Sequence, residues 1–295
     1  MPLFQTFDYP SDNELFAGVW GLRAPIHRTL DATKVTAKTP VNSGESSKSF
    51  APGYFGAASG SLARLLPRSK VATTAVTASS STVVEVTENQ SQVFIAGDVL
   101  RILAPSAQID LTLTWAASDT LATTINGYTL TTTAAGSDTG AIATLHTTEI
   151  NVDPVLSKLI TAIASGDSVF VYAKDFISQY AIAVTATTAG DGTGAVTDSA
   201  TNLIAMRTIG TIASSGVNTD TDQLTLSSTA TISVPIGMPI GVDAMPIGML
   251  SRSIDFENDE LQMGFYTACS IKSVSILPYW DGELDRLFDF DFVAA

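Results

Sequence analysis

The chain has one cysteine and two histidines among its 295 residues. A single thiol, Cys269, excludes an intrachain disulfide, and its alternating apolar surroundings predict a buried structural thiol. The histidines, His27 and His146, lie far apart in segments of different composition, so no His/Cys cluster with metal-ligand spacing is present. The sequence therefore predicts no catalytic residue, no metal-binding residue, no cofactor-binding residue and no cofactor.

Charged residues and long apolar runs are also scarce. Only 15% of residues are charged, against about a quarter in an average globular domain. No stretch approaches the roughly 18 apolar residues of a bilayer span, and no basic segment followed by an apolar run opens the chain as a secretory signal would. We therefore expect synthesis in a cytoplasm and no membrane partner.

The charge that is present is mostly negative. The net charge is −14, which disfavours binding to phosphate backbones, so we expect no nucleic-acid partner. Residues 1–70 are the exception, with eight basic and five acidic side chains. This mildly basic segment could dock on an acidic neighbour, including another copy of the chain; chance clustering is the alternative.

Thr, Ser, Ala, Val and Ile are abundant instead, and they favour strands over exposed helices. We predict a mainly β fold: a β-barrel or sandwich with an extended N-terminal arm and a small inserted α+β module. Proline recurs through residues 1–70, which we assign to the arm. The arm either docks on another surface or wraps its own domain. Its expected anchors are aromatic: Phe4, Phe7, Tyr9, Phe16, Trp20, Phe50, Tyr54 and Phe55.

Alternating apolar and small polar residues begin at Val71, and residues 71–108 with 203–295 are assigned to the β-barrel domain. Two Gly-Asp steps, Gly97–Asp98 and Gly166–Asp167, predict turns that lead into strands. The tail "FDFDF" predicts an edge strand that closes the domain. The apolar residues that mark the barrel strands are Val83, Val84, Val86, Val99, Leu100, Ile102, Ile209, Ile212, Leu224 and Leu226.

Residues 109–202 have a different pattern and are assigned to the inserted α+β module. Asn126-Gly127 between alternating apolar runs predicts a hairpin. A short helix capped by Asp138 or Thr139 follows, with one face lined by Ile142 and Leu145 and with Ile150 as a further candidate for that face. His146 lies on this helix and is predicted to be a surface or packed residue, not a ligand. Strands are expected at 159–163, 169–172 and 181–187.

The sequence contains few signs of catalytic chemistry. No G-x-S-x-G elbow and no P-loop occur, and "GDGTG" at 190–194 lacks the strand–helix context of a phosphate cradle. Clustered acids could serve a glycosidase or hold calcium, but solvated loop acids are the simpler interpretation, and we predict that the chain is not an enzyme. The acids are Asp220 with Asp222, Asp255 with Glu257, Asp259 and Glu260, and Asp281 with Glu283 and Asp285.

The phrases "FIAGDVLRI", "TDTDQLTLSSTATISVPIGMPIGVD" and "PIGMLSRSIDF" resemble structural proteins of tailed bacteriophages. They look most like capsid decoration (cement) proteins, whose small β-barrels follow an extended arm. The inserted stretch is similar to a module common in phage virion proteins, and the likeness covers roughly residues 71–290. No binding residue is carried over by it.

The resemblance implies a virion structural protein that decorates and stabilises a bacteriophage capsid by bridging neighbouring subunits. The implied partners are the major capsid protein and other copies of the chain, as a homotrimer. The implied location is the outer capsid surface, after synthesis in the host cytoplasm. A tail tube, a fibre, another virion component and a surface-glycan-binding module remain alternatives.

Overall fold

The computed structural model describes the greater part of the chain. The described residues are 16–18, 26–37, 48–50, 54–72, 81–86, 91–174, 180–188, 192–197, 203, 206–217, 222–234, 236–250, 253–256, 261–272 and 287–293.

The fold is mainly β, as predicted, with several antiparallel sheets and a curled half-barrel. The helices are α1 (Thr139–Val152) and α2 (Leu156–Leu159), with 3₁₀ turns at Ala32–Lys34 and Ser91–Val93. The strands are β1 (Phe16–Gly18), β2 (Ile26–Thr29), β3 (Ser49–Phe50), β4 (Phe55–Ser59), β5 (Leu62–Leu65), β6 (Arg68–Lys70), β7 (Val83–Val86), β8 (Val99–Ile102), β9 (Ser106–Thr112), β10 (Thr120–Ile125), β11 (Tyr128–Thr133), β12 (Ile160–Ser165), β13 (Ser168–Ala173), β14 (Ile182–Thr187), β15 (Ala195–Thr197), β16 (Arg207–Val217), β17 (Asp222–Leu226), β18 (Pro239–Val242), β19 (Pro246–Leu250), β20 (Ile254–Asp255), β21 (Gln262–Tyr266), β22 (Ala268–Lys272) and β23 (Asp289–Val293).

The chain divides into two compact units. Unit 1 combines Met1–Leu66 with Ala244–Ala295, and unit 2 is the continuous segment Pro67–Asp243. This division differs from the three predicted segments, because the first strands of the chain pair with strands from its last quarter.

Unit 1 contains a five-stranded sheet in the order β2-β21-β19-β4-β5. The extended arm predicted over residues 1–70 is therefore wrong for residues 55–65, which form the β4–β5 hairpin of this sheet. Pro52 and Pro67 flank the hairpin and do not interrupt it. The recurrence of proline in residues 1–70 therefore does not exclude strands between the prolines. In the same unit, β23 is the edge strand of the sheet β1-β22-β23, as the tail pattern predicted.

Three of the predicted arm anchors pack inside unit 1. Phe50, Tyr54 and Phe55 are buried. The ring of Phe50 meets Tyr54 and Phe256 edge-on, at centroid distances of 5.2 and 5.7 Å, and Phe55 stacks on Phe288. These rings stabilise the chain's own core, which agrees with the alternative that the segment wraps its own domain. The other predicted anchors have no described side chain.

Unit 2 contains a six-stranded sheet in the order β6-β18-β8-β16-β17-β7. The strands predicted from their apolar residues are present as β7, β8, β16 and β17. Gly97 has a φ of 90° in the turn that leads into β8. The Asp98 carboxylate accepts a hydrogen bond from the Ile95 amide at 3.1 Å, so the predicted Gly-Asp turn is confirmed.

The remainder of unit 2 is an α+β region with sheets β11-β10-β14 and β12-β13-β9-β15. The predicted Asn-Gly hairpin joins β10 to β11, with φ of 50° at Asn126 and 84° at Gly127. Asp138 caps α1 by accepting from the Ala141 amide at 3.1 Å. Ile142 and Ile150 are buried on the helix as expected, but Leu145 is 37% exposed. At 3.6 residues per turn, Leu145 lies about a third of a turn from the centre of the buried face.

The strands predicted at 159–163, 169–172 and 181–187 appear as β12, β13 and β14. Gly166, with a φ of 58°, forms the turn between β12 and β13, as the second Gly-Asp step predicted. One hydrophobic cluster joins both sheets to the helices. Its fully buried members include Ile109, Trp115, Leu121, Ala143, Ile150, Leu156, Val169 and Leu203.

Strand β12 lies at the end of its sheet, and the side chain of Asn151 covers part of its outer edge. The Asn151 amide donates to the Ala162 carbonyl at 2.8 Å and accepts from the Ala162 amide at 2.9 Å. Asn151 thus satisfies the two backbone groups that a neighbouring strand would otherwise pair with. Covering an edge in this way opposes strand addition by another chain.

Candidate functional site

The acidic groupings considered in the sequence are mostly outside the described residues. Asp222 is fully buried on β17, where its carboxylate accepts from the Ser91 amide at 2.8 Å. Asp255 is half-buried on β20. Asp220, Glu257, Asp259, Glu260, Asp281, Glu283 and Asp285 lie outside the described residues, as does the side chain of Cys269. Across the described ranges, no three His, Cys, Asp or Glu side chains are grouped as metal ligands would be.

The glycines of "GDGTG" that are described pack tightly against two buried side chains. A Cβ on Gly192 would lie 2.0 Å from the Asp119 carboxylate, and one on Gly194 would lie 2.7 Å from the Trp115 ring. The Thr193 amide between them donates to the Thr114 carbonyl at 2.8 Å. Close packing on the 113–119 loop thus accounts for these glycines without a phosphate ligand.

The 113–119 loop joins β9 to β10 and contains two non-glycine residues with positive φ. Leu113 has a φ of 62° and Ser118 a φ of 80°. A left-handed backbone costs an L-residue about 1–2 kcal/mol, and it is unusual for a bulky side chain. Leu113 is also 68% exposed, so its side chain recovers little of that cost by burial.

Buried side chains hold this loop in place. Trp115 Nε1 donates to the Thr112 carbonyl at 3.0 Å. The Asp119 carboxylate accepts from the Ala116 amide at 2.9 Å, and the Ser118 amide donates to the Ala134 carbonyl at 2.9 Å. The loop is thereby fixed at both ends, which is the condition under which strained backbone persists.

A chain of hydrogen bonds connects four side chains between α1 and the inner face of the sheet β11-β10-β14; we call it the buried relay. His146 Nε2 lies 2.8 Å from the Thr123 hydroxyl, and Nδ1 lies 2.7 Å from the Thr132 hydroxyl. The Thr132 hydroxyl in turn donates to the Glu149 carboxylate. Thr123, Thr132 and His146 are all buried.

The direction of each hydrogen bond follows from the number of protons available. Thr132 gives its only proton to Glu149, so its oxygen accepts from His146 Nδ1–H. In neutral imidazole, Nε2 is then unprotonated and accepts from the Thr123 hydroxyl. The buried relay therefore runs in one direction, from Thr123 through His146 and Thr132 to Glu149. Burial lowers the pKa of His146 from 6.5 to about 4, which keeps the ring neutral near pH 7.

The order hydroxyl, imidazole, acid resembles a nucleophile and its base. The Thr123 hydroxyl, however, is on a fully buried side chain, so no substrate reaches it in this structure. The buried relay satisfies polar groups inside the core. His146 was predicted to be either a surface residue or a packed residue, and in the structure it is packed in the core. Its two threonine partners were not foreseen, because they come from β10 and β11.

The opposite side of the same sheet carries only small uncharged side chains; we call it the threonine face. Its nine residues form three cross-strand rows, each with one residue from β11, β10 and β14, and the Thr124 and Thr129 hydroxyls are 2.7 Å apart. All nine are exposed or half-exposed. The rows are Thr133–Thr120–Thr187, Thr131–Ala122–Thr185 and Thr129–Thr124–Ala183.

The threonine face can pack on a partner without stripping water from a charged group, and its hydroxyls can each donate and accept a hydrogen bond. Neither the face nor the 113–119 loop was singled out from the sequence. The signal was present as the alternating threonines of "TLATTINGYTLTTT" and "IAVTATT".

Comparison with known proteins identifies no family. No family model and no curated protein matches the chain. Among solved structures, a chain from Mycobacterium phage Patience aligns at 11% sequence identity and a TM-score of 0.24, over 81% of this chain and 99% of that chain. An alignment of that quality does not establish a shared fold. In the part of the chain that the structure describes, no helix has the length and hydropathy needed to cross a bilayer.

Proposed function

We propose that the chain is a virion structural protein that decorates and stabilises a bacteriophage capsid by bridging neighbouring capsid subunits. Its partners are the major capsid protein and other copies of itself, as a homotrimer on the outer capsid surface. In this proposal it binds no nucleic acid and no membrane, requires no cofactor and is not an enzyme.

The observation that carries the proposal is the threonine face. The chain has a net charge of −14, yet none of the nine residues of this face is charged. The centres of protein interfaces are depleted in charged residues, so this face is well suited to contact another protein. The acidic side chains elsewhere keep decorated particles apart in solution.

The size of the threonine face bears on how it is used. Strand spacings of about 4.8 Å and a rise of about 3.4 Å per residue give it roughly 250 Å². A stable interface usually buries about 800 Å² per partner. One copy of the face is therefore a weak contact, and joining copies into a homotrimer raises the affinity through multivalency.

A sedimentation assay tests the proposal. Purified chain is mixed with empty heads built from the major capsid protein of the same virus, and the bound fraction is measured after pelleting. We expect saturable binding at a fixed number of copies per capsid. The double variant Thr131→Asp/Thr185→Asp puts two charges on the threonine face and should bind at least tenfold more weakly with an unchanged far-UV CD spectrum.

Gln262→Glu is the control for added charge away from the threonine face, since it places one negative charge on an exposed side chain of unit 1. It should bind as the wild type does. Heads that do not pellet the wild-type chain would refute the proposal. Copurification with isolated tails would replace it with a tail tube or fibre role.

The hydroxyl rows also favour one alternative, a surface-glycan-binding module, because regularly spaced donors and acceptors suit a saccharide chain. Binding of the wild-type chain to immobilised host polysaccharide, lost in Thr131→Asp/Thr185→Asp, would support it. Binding to heads without binding to polysaccharide would exclude it.

A further inference from the structure

Leu113 combines two unfavourable features that its own fold does not explain. Its backbone is left-handed, and its large apolar side chain is 68% exposed. The turn after β9 needs a residue with positive φ, and glycine or asparagine would supply it with less strain. A leucine at this position contributes little to folding, because little of it is buried.

The other non-glycine residues with positive φ differ from Leu113. Asn126 is a residue type that tolerates this conformation, and Ser118 is small and polar. Met206 is half-buried, and its carbonyl accepts from the Arg101 guanidinium at 3.1 Å. Among the described residues with positive φ, only Leu113 is at once large, apolar and exposed.

The backbone on both sides of Leu113 is fixed. The carbonyl of Thr112 accepts from the buried Trp115 ring, and the carbonyl of Thr114 accepts from Thr193. A side chain on a fixed loop loses little conformational freedom when it binds a partner. The exposed loop residues beside Leu113 are Thr114, Ala117 and Ser118, none of them charged.

We propose that Leu113 is a preorganised apolar anchor that inserts into an uncharged, apolar pocket of the capsid subunit. This inference rests on the proposed function and assigns it a specific contact residue. The strained leucine lowers the stability of the free chain and becomes buried only in the complex. Such a loss of stability is common at positions that serve binding.

The test measures stability and head binding in the same variants. Leu113→Gly and Leu113→Asn relieve the strain, so both should raise the thermal midpoint by one to several degrees and bind heads at least tenfold more weakly. Val152→Ala and Met245→Ala are the controls, since Val152 and Met245 are 73% and 74% exposed without positive φ. Both should bind as the wild type does.

Each result decides between the two proposals. Unchanged head binding by Leu113→Gly and Leu113→Asn would overturn the anchor and leave the decoration role intact. A lowered thermal midpoint in both variants would assign Leu113 a folding role and also overturn the anchor. Wild-type chain that does not pellet with heads would refute both the decoration role and the anchor.

Discussion

The sheet formed by β11, β10 and β14 has two faces made from alternate residues of the same strands. On the inner face, Thr123 and Thr132 are buried and hydrogen-bonded to His146. On the outer face, Thr124 and Thr131 are exposed or half-exposed in the threonine face. Neighbouring threonines in the sequence thus lie in opposite environments, because side chains alternate along a strand.

The inner threonines contribute to the stability of the fold, whereas the outer threonines are available for binding. An inner threonine must keep its partners, since a buried polar group that loses its hydrogen bond is costly. An outer threonine can form its hydrogen bonds with water instead. The fold therefore does not require threonine at that position, and the side chain is available for contact with a partner. The comparison predicts large stability effects on one face and small ones on the other.

Removal of the His146 imidazole should lower the unfolding free energy more than any other change considered below. His146→Ala leaves a cavity in a fully buried site and removes a partner from Thr123 and from Thr132. We expect a loss of about 3–5 kcal/mol in unfolding free energy, measured by urea denaturation. Leu145→Ala, one residue away and exposed, should change it by no more than about 0.5 kcal/mol.

A triple variant separates the hydrogen bonds from the packing. Thr123→Val/His146→Leu/Thr132→Val replaces the imidazole and both of its hydroxyl partners with apolar groups of similar shape, which can be close to neutral. The half-buried Glu149 is kept and loses only its Thr132 donor. We expect it to recover more than half of the loss seen in His146→Ala. A triple variant less stable than His146→Ala would contradict the account of the buried relay.

Acid should weaken the inner face in a defined pH range. Burial lowers the pKa of His146 from 6.5 to about 4, so below pH 6.5 the unfolded chain takes up a proton that the folded chain does not. Unfolding free energy therefore falls as the pH drops from 6.5 to about 4, by about 3 kcal/mol in total. Above pH 6.5 this contribution is complete.

Denaturation curves between pH 4 and pH 8 check this expectation against two variants. His146→Leu should lack the His146 component of the pH dependence, whereas His27→Gln, which changes an exposed histidine, should keep it. Equal pH dependence in the wild type and in His146→Leu would show that His146 does not titrate as the structure indicates.

Local sequence signals predicted the elements around this sheet. Asn126-Gly127 placed the hairpin and Asp138 placed the start of α1, because each acts through backbone groups within a few residues. The buried relay was beyond such signals. Thr123 lies 23 residues from His146, and nothing in the local pattern specifies which face of a neutral, threonine-rich strand is buried.

In the predicted arm, local signals pointed away from strands that are present. Proline frequency and glycine-rich stretches predicted irregular structure for residues 1–70, yet β4 and β5 lie between Pro52 and Pro67. The partner of β4 on its other side is β19, almost 200 residues away in the sequence. Pairing over such a distance depends on tertiary structure, which overrides local propensity.

Packed and open positions can also be compared among glycines. A methyl group on Gly194 would lie 2.7 Å from the Trp115 ring, whereas one on Gly136 would contact nothing within 4 Å. We expect Gly194→Ala to lower unfolding free energy by about 1–3 kcal/mol through overpacking. Gly136→Ala should be neutral or slightly stabilising. Equal thermal midpoints for the two variants would refute the tight packing on the 113–119 loop.

The smallest effects come from one pair of adjacent threonines, and they test the comparison most directly. Thr132→Val removes the acceptor of His146 Nδ1–H and the donor to Glu149, so we expect a loss of about 1–3 kcal/mol. Thr131→Val makes the same chemical change on the threonine face and should alter unfolding free energy by less than about 0.5 kcal/mol. Valine suits a strand as well as threonine does, so propensity does not separate the two variants. If Thr131→Val proves as destabilising as Thr132→Val, the outer threonines are held by contacts of their own and the face is not free to serve a partner.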